Sequence, residues 1–166
     1  YVDVLRERGE LDRTLIVFSS DHGEMLGDHD CWGKSLPHQP SIGVPLTVAG
    51  PGVQRGTTVS APSTILDLVA TFLEAGEAVP LPAMESRSLW PLLTGQAEAT
   101  RSCVFSALED WRVAFNGRYK LVAWRDASWR AMYDLQIDPS ETCDISGLAD
   151  FDDIQSALVE HLRSYA

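Results

Sequence analysis

Positive charge is scarce in this chain. Across 166 residues, 13 lysines and arginines face 24 aspartates and glutamates, for a formal net charge of -11. Such a surface repels a phosphate backbone, so nucleic acid is excluded as a partner class. It also sets a requirement: an anionic ligand needs a local cation to hold it. Cysteine is scarce too. Cys31, Cys103 and Cys143 are far apart, odd in number and without a CxxC pair. That leaves neither a zinc knuckle nor a disulfide framework, and leans toward a reducing compartment. No run reaches the roughly 18 apolar residues of a membrane span, and nothing resembles a leader peptide. The expected location is the cytoplasm ahead of the periplasm or the exterior, with no membrane partner. An initiating methionine is missing as well: Tyr1-Val2-Asp3-Val4-Leu5 enters a helical pattern at once, so the chain reads as a fragment or a trimmed product.

What is present is a globular composition, 45% hydrophobic and 22% charged, long enough to bury a core. Residues 1–9 read as the end of an amphipathic helix with Gly9 as its C-cap. The apolar, β-branched run at 14–19 predicts a buried parallel strand. Residues 20–41 form a long polar loop, and loops of that length in compact domains are usually functional. Residues 44–49 predict a second strand. Residues 63–75 predict a helix with Ile65, Leu66, Leu68, Val69, Phe72 and Leu73 on one broad face, stopped by Gly76. A short helix follows at 89–93. The pattern then changes to strand-like pieces at 103–108, 111–116, 119–124 and 131–134, with Asn116-Gly117 as a hairpin signal. Residues 151–163 close with an amphipathic helix carrying Ile154, Leu158 and Leu162 on one face.

The long loop concentrates chemistry. Residues 19–35 read SSDHGEMLGDHDCWGKS, and three of the four histidines lie between 22 and 38. Asp21-His22 directly follows a strand, where open α/β sheets place their ligands. A carboxylate beside an imidazole suits a divalent cation, and Gly23 lets the backbone turn just behind them. The competing reading is a turn with a helix cap. Two ligands are too few for any such ion. Lys34 is a fixed cation in the same loop, placed to hold an anionic oxygen, or else an ordinary solvated lysine. His38 reads as a substrate contact or a surface histidine. Trp32 reads as an anchor of the loop to the core, ahead of a wall of the pocket. Trp111, Trp124 and Trp129 read as core of the small sheet. Arg112, Arg118 and Lys120 alternate with apolar residues and read as its solvent face, with a reach of Arg112 toward the site as the alternative. His161 is assigned no role.

These residues together resemble the C-terminal half of type I sulfatases and the related phosphonate monoester hydrolases of the alkaline phosphatase superfamily. SSDHGEMLGDHDCWGKS carries the resemblance. It is supported in order by SIGVPLTVAGPG, STILDLVATFLEAGEAVP, SLWPLLTG, FNGRYKLVAW and MYDLQIDPSETCDISG. The resemblance implies an α/β fold: a partial alkaline-phosphatase-like α/β/α sandwich, followed by a small C-terminal antiparallel sheet packed with a terminal helix. Residues 1–100 would be the C-terminal part of the sulfatase core and 101–166 the sheet subdomain. Asp21 and His22 would be two ligands of one divalent metal ion, calcium ahead of manganese or magnesium. Lys34 would be the catalytic lysine that contacts the sulfate, phosphate or leaving-group oxygen. Glu24, Asp28 and His29 match frequent family positions without a ligand role.

The departures are as informative. The family nucleophile is a formylglycine made in a Cys-x-Pro-Ser-Arg context, and none of the three cysteines has it. Ser60-Ala61-Pro62-Ser63-Thr64 is a near match without the arginine and reads as a helix cap. Gly43 stands where the family often has arginine, and His38-Gln39-Pro40 replaces an acidic stretch. The formylglycine and further ligand aspartates are therefore expected only in a missing N-terminal part. The reading is a metal-dependent sulfuric ester hydrolase when full length, inactive as 166 residues. Its partners would be a small anionic ester, the missing half of the same polypeptide and a second copy in a homo-oligomer. The alternatives are a phosphonate monoester or phosphodiester hydrolase, and a truncated non-catalytic domain with a binding or structural role.

Overall fold

A computed structural model describes residues 1–79, 81–124 and 130–165 of the chain. They form two compact units. The first is Tyr1–Asp21 with Pro45–Thr100; the second is His22–Val44 with Arg101–Ala166. The long loop thus belongs to the same unit as the C-terminal sheet.

In the first unit, helix α1 (Val2–Glu7) ends at Gly9, whose φ of 64° lets the Glu10 amide reach back to Leu5 O at 2.9 Å. Strands β1 (Ile16–Ser19) and β2 (Leu46–Ala49) pair with Ser19 opposite Leu46 and Ile16 opposite Ala49. The pair is antiparallel, not parallel as the apolar run predicts. Residues 20–45 hold one four-residue helix, α2 (Gln39–Ile42), and no crossover helix of the kind a parallel neighbour requires. Phe18 is 64% exposed in this chain.

Helix α3 (Asp67–Ala75) starts four residues later than expected and buries a polar stripe, Asp67 and Thr71. The Asp67 carboxylate accepts the Thr64 and Arg87 amides at 3.2 and 2.9 Å, and the Thr71 hydroxyl accepts the Leu89 amide at 2.8 Å. The first satisfies a donor just ahead of α3, and the other two satisfy donors of the loop leading into α4 (Trp90–Leu93). The expected apolar face is instead half exposed at Val69 and Phe72. Among the described residues no helix is long and apolar enough to cross a membrane.

In the second unit, β3 (Val104–Leu108), β4 (Trp111–Phe115), β5 (Tyr119–Trp124) and β6 (Arg130–Asp134) form an antiparallel meander in chain order. The β4–β5 turn forms at the expected Asn116-Gly117. The Asn116 side chain accepts the Arg118 and Tyr119 amides at 3.1 and 2.8 Å. One face of the sheet, Ala114, Leu121 and Met132, packs on Leu158 and Leu162 of α5 (Asp152–Tyr165). Burying one such leucine contributes about 1.5–3 kcal/mol. Asp152 and Asp153 in the first turn of α5 and Arg163 in the last complement its dipole.

The opposite face carries Trp111, Val113, Val122, Ala131 and Tyr133, with Ile42 of α2 and Leu135 against it. Lys120 lies on this face and is 0% exposed. The solvent-face expectation for Lys120 is therefore wrong, because the loop covers what alternation marks as the wet side. Trp111 is core as expected, Trp124 is 37% exposed, and Trp129 lies outside the described residues.

Candidate functional site

The loop after β1 closes on itself before it reaches the sheet. At its neck the Met25 amide donates to Gly33 O at 2.9 Å, and the Gly33 amide donates to Glu24 Oε1 at 2.5 Å. Within it the Asp28 amide donates to Met25 O at 2.8 Å and the Cys31 amide to Asp28 O at 3.0 Å. His29 and Asp30 take left-handed φ values of 52° and 56°, a region these residue types tolerate better than most. Met25 is the buried anchor of this tongue. Trp32, expected in that role, is 76% exposed. Cys31 is extended, and successive side chains of an extended segment point to opposite sides. A half-buried Cys31 therefore turns Trp32 outward.

His22 and Lys34 meet across the neck. His22 Nδ1 lies 2.8 Å from Gly23 O, and Nε2 lies 2.6 Å from Lys34 Nζ. A carbonyl oxygen only accepts, so Nδ1 carries the proton and Nε2 keeps its lone pair. Lys34 donates to that lone pair. Fixing Nδ1 on a backbone carbonyl is the usual way a protein presents Nε2 as a metal ligand. The backbone at Gly23 is as constrained as the ring. Its amide donates to Ser41 O at 2.8 Å, and a Cβ placed there would sit 2.0 Å from Pro40 O. Only glycine fits this approach.

The segment facing Gly23 is itself tied to the sheet. Trp111 Nε1 donates to Ser35 O at 2.9 Å, Lys120 Nζ to Pro37 O at 2.7 Å, and the Gln39 amide to Glu141 Oε2 at 2.5 Å. Lys120 and Glu141 form a buried ion pair. Burial lowers the Lys120 pKa, and the adjacent Glu141 only partly offsets it. Burial also acts to raise Glu141, but the His38 contact, the Lys120 charge and the Gln39 amide outweigh it, so this carboxyl stays below the usual glutamate value. His38 stacks on His29 with ring centroids 4.0 Å apart and places Nδ1 3.7 Å from Glu141 Oε2, leaving its side chain 18% exposed.

Asp21 ends the first unit, where its carboxylate accepts from Ser20 Oγ at 3.4 Å. Among the described residues no three His, Cys, Asp or Glu side chains converge as a metal cluster. The donor chemistry of Asp21 and His22 fits two positions of a divalent ion, not a complete set.

Comparison with known proteins places this loop in a family. A family model described as Sulfatase matches residues 2–78. Arylsulfatase K of Xenopus laevis is 31% identical over 163 residues, which cover 88% of this chain and 30% of the relative. The chain belongs to the type I sulfatase family. The solved structure of BT4656 in complex with its substrate D-glucosamine-2-N,6-O-disulfate is 27% identical, with a TM-score of 0.89 over 99% of this chain and 36% of that one. Phosphonate monoester hydrolase SpPMH from Silicibacter pomeroyi is 29% identical, with a TM-score of 0.84 over 99% of this chain and 37% of that one. The expected fold, a part of the alkaline-phosphatase-like architecture with a four-stranded antiparallel sheet and a C-terminal helix, is the one observed. This sulfatase chain spans about a third of the length of the relatives it matches.

Three residues that hold this loop were not legible beforehand. Met25 looked like one apolar residue among polar ones. Lys120 looked solvated. Glu141 sits in the turn after Asp138-Pro139, where its amide donates to Asp138 O at 3.2 Å. A lysine inside an otherwise apolar strand, Tyr119–Trp124, was the available clue, since burial of a lysine requires a partner.

Proposed function

We propose that this chain is the part of a metal-dependent sulfuric ester hydrolase that supplies two metal ligands, Asp21 and His22, and an anion-binding lysine, Lys34. The observation that supports it best is the 2.6 Å approach of Lys34 Nζ to His22 Nε2 with Nδ1 held by Gly23 O. The ligand nitrogen and the anion donor stand side by side, and Lys34 would give up this bond when an ion takes the lone pair. When bound, a divalent ion (calcium ahead of manganese or magnesium) would neutralise charge on the ester and on its nucleophile. His22 keeps Nε2 unprotonated for that role. Lys34 donates to an ester oxygen as negative charge builds on the leaving group. His38, held between His29 and Glu141, shapes the loop beside Lys34. No cysteine here stands in a Cys-x-Pro-Ser-Arg context. The formylglycine nucleophile belongs to a longer polypeptide, and the 166 residues alone are inactive.

A phosphonate monoester hydrolase is the second reading, favoured by the 29% identity to SpPMH. Both are tested by assaying the longer polypeptide that contains this chain on a sulfate monoester and a phosphonate monoester, wild type beside Lys34→Ala. The expected result is faster hydrolysis of the sulfate ester, and a loss of about 10²–10³-fold in kcat for the variant, the size of losing one preorganised donor. Equal kcat removes Lys34 from the mechanism. Preference for the phosphonate selects the second reading. Hydrolysis of neither by the wild type leaves a non-catalytic domain.

A further inference from the structure

We propose that Lys120 and Glu141 are positioning residues, whose buried pair fixes residues 35–43 as a strap that holds His22 and Lys34 in place; this rests on the reading of those two residues given above. The strap is gripped at every second residue. Ser35 O, Pro37 O and the Gln39 amide meet Trp111, Lys120 and Glu141 in turn. The segment is bent, with Ser35 at φ 86° and Gln39 opening α2, and three side chains of the sheet unit hold this edge of it. Beyond that edge the strap meets the site: Ser41 O accepts the Gly23 amide at 2.8 Å, and Pro40 O and Gly43 O crowd the Gly23 Cα. The His22 ring is fixed on Gly23 O. The line from pair to ligand is thus Glu141 to Gln39, Pro40-Ser41 to Gly23, and Gly23 to His22.

A purely stabilising role does not account for the choice of residues. Burying two charges costs heavily in desolvation, and an apolar pair of similar volume commonly stabilises a core as well or better. What an apolar pair lacks is a donor for Pro37 O and an acceptor for the Gln39 amide. The pair's specific product is the placement of the strap. Arg118 and Asp134 supply an internal comparison. They form an ion pair in the same sheet, with Nη2 2.6 Å from Oδ2, and the Asp134 carboxylate also accepts the Gln136 amide at 3.1 Å.

The test is the double variant Lys120→Met/Glu141→Leu beside Arg118→Met, in this chain and in the longer polypeptide. Amide hydrogen exchange is measured at Gln39 and Gly23, together with the 15N shifts of the His22 ring. The expected result for the double variant is exchange at both amides at least about 10-fold faster, as loss of a charge-assisted hydrogen bond allows. The His22 shifts should move, and kcat in the longer polypeptide should fall about 10²-fold, the scale of an ångström of misplacement. Arg118→Met should do none of this. If the double variant fails to fold, Glu141→Gln takes its place, keeping an acceptor but weakening it; a faster Gly23 amide then supports the proposal. Unchanged exchange at Gly23, or an equal response to Arg118→Met, overturns it. If the wild-type polypeptide hydrolyses neither ester, the hydrolase reading fails, and exchange and His22 shifts alone decide the positioning role.

Discussion

Gly23→Ala is the sharpest single perturbation of this loop. The added methyl would lie 2.0 Å from Pro40 O and 3.0 Å from both Pro40 C and Gly43 O. These are backbone atoms, so no side chain can swing away. One of the two segments must retreat by about 1 Å before the contact becomes tolerable, and forced overpacking of this kind costs about 1–3 kcal/mol. The same retreat stretches the Gly23 amide bond to Ser41 O, 2.8 Å long, and its loss adds about 0.5–1.5 kcal/mol. The combined destabilisation is about 2–4 kcal/mol. With a mid-range urea m-value of about 2 kcal/mol/M, the unfolding midpoint should fall by about 1–2 M. Tryptophan fluorescence is a suitable probe, because buried Trp111 is bonded to Ser35 O in the same strap. Gly56→Ala is the control. Its methyl enters open space, so it carries only left-handed strain of about 1–2 kcal/mol at φ 67°. A Gly23→Ala midpoint no lower than that of Gly56→Ala would show that the close approach does not constrain the loop, and the argument for His22 placement would fall with it.

Stability should be lost on the acid side below the ordinary carboxylate range. Asp134 is held low by Arg118, Asp138 by the Cys143 amide, and Glu141 by its partners despite burial. A lowered folded pKa contributes stability above the unfolded value of about 4 that disappears as pH falls through the folded one. The urea midpoint should therefore be flat from about pH 5 to 8 and drop below about pH 4; a flat profile to about pH 2 refutes the pairing. On the alkaline side, burial pushes Tyr133 up to about 12. Its contribution is complete below about pH 10 and is lost as pH rises toward the folded value, and phenolate absorbance should show one late-titrating tyrosine. Thiol alkylation should follow exposure, with Cys143 modified first and Cys103 only in denaturant. Cys103 is buried, and burial pushes its thiol up. Native-state labelling of Cys103 as fast as Cys143, read by mass spectrometry, would contradict the packing of β3.

The small sheet was largely legible because its signals are local. Asn116-Gly117 fixed a turn, and alternating apolar residues on either side fixed strands that the fold reproduces nearly residue for residue. The terminal helix followed from its 3.6-residue period in the same way. What failed depended on distant chain. The orientation of β1 is set by how residues 20–45 return, which an apolar tetrapeptide does not encode. Lys120 alternates like a solvent-facing residue, and only the loop laid across that face makes it interior. Trp32 has an anchor's composition but the wrong parity. At the site, the pairing of His22 with Lys34 depends on the tongue closing at Glu24 and Gly33, so proximity in sequence suggested it without placing it.

Under the proposed function, the charge requirement set by an acidic chain falls on Lys34. A basic side chain attracts an anion only to the extent that its charge is not already met within the fold. Lys120 meets Glu141, and Arg118 meets Asp134. Both are neutralised where they stand, and neither offers much to a ligand. Lys34 is different in kind. Its contact is a ring nitrogen whose tautomer, fixed by Gly23 O, leaves a neutral acceptor. The bond orients the ammonium without cancelling its charge, and Lys34 remains exposed to solvent. Formal net charge over the whole chain is a poor guide to such a point, because the field near a surface is set by the few charges within about 10 Å. Under the proposed function, a lysine whose partner in the fold is a ring nitrogen and not a carboxylate is what an acidic chain keeps for an anionic ester.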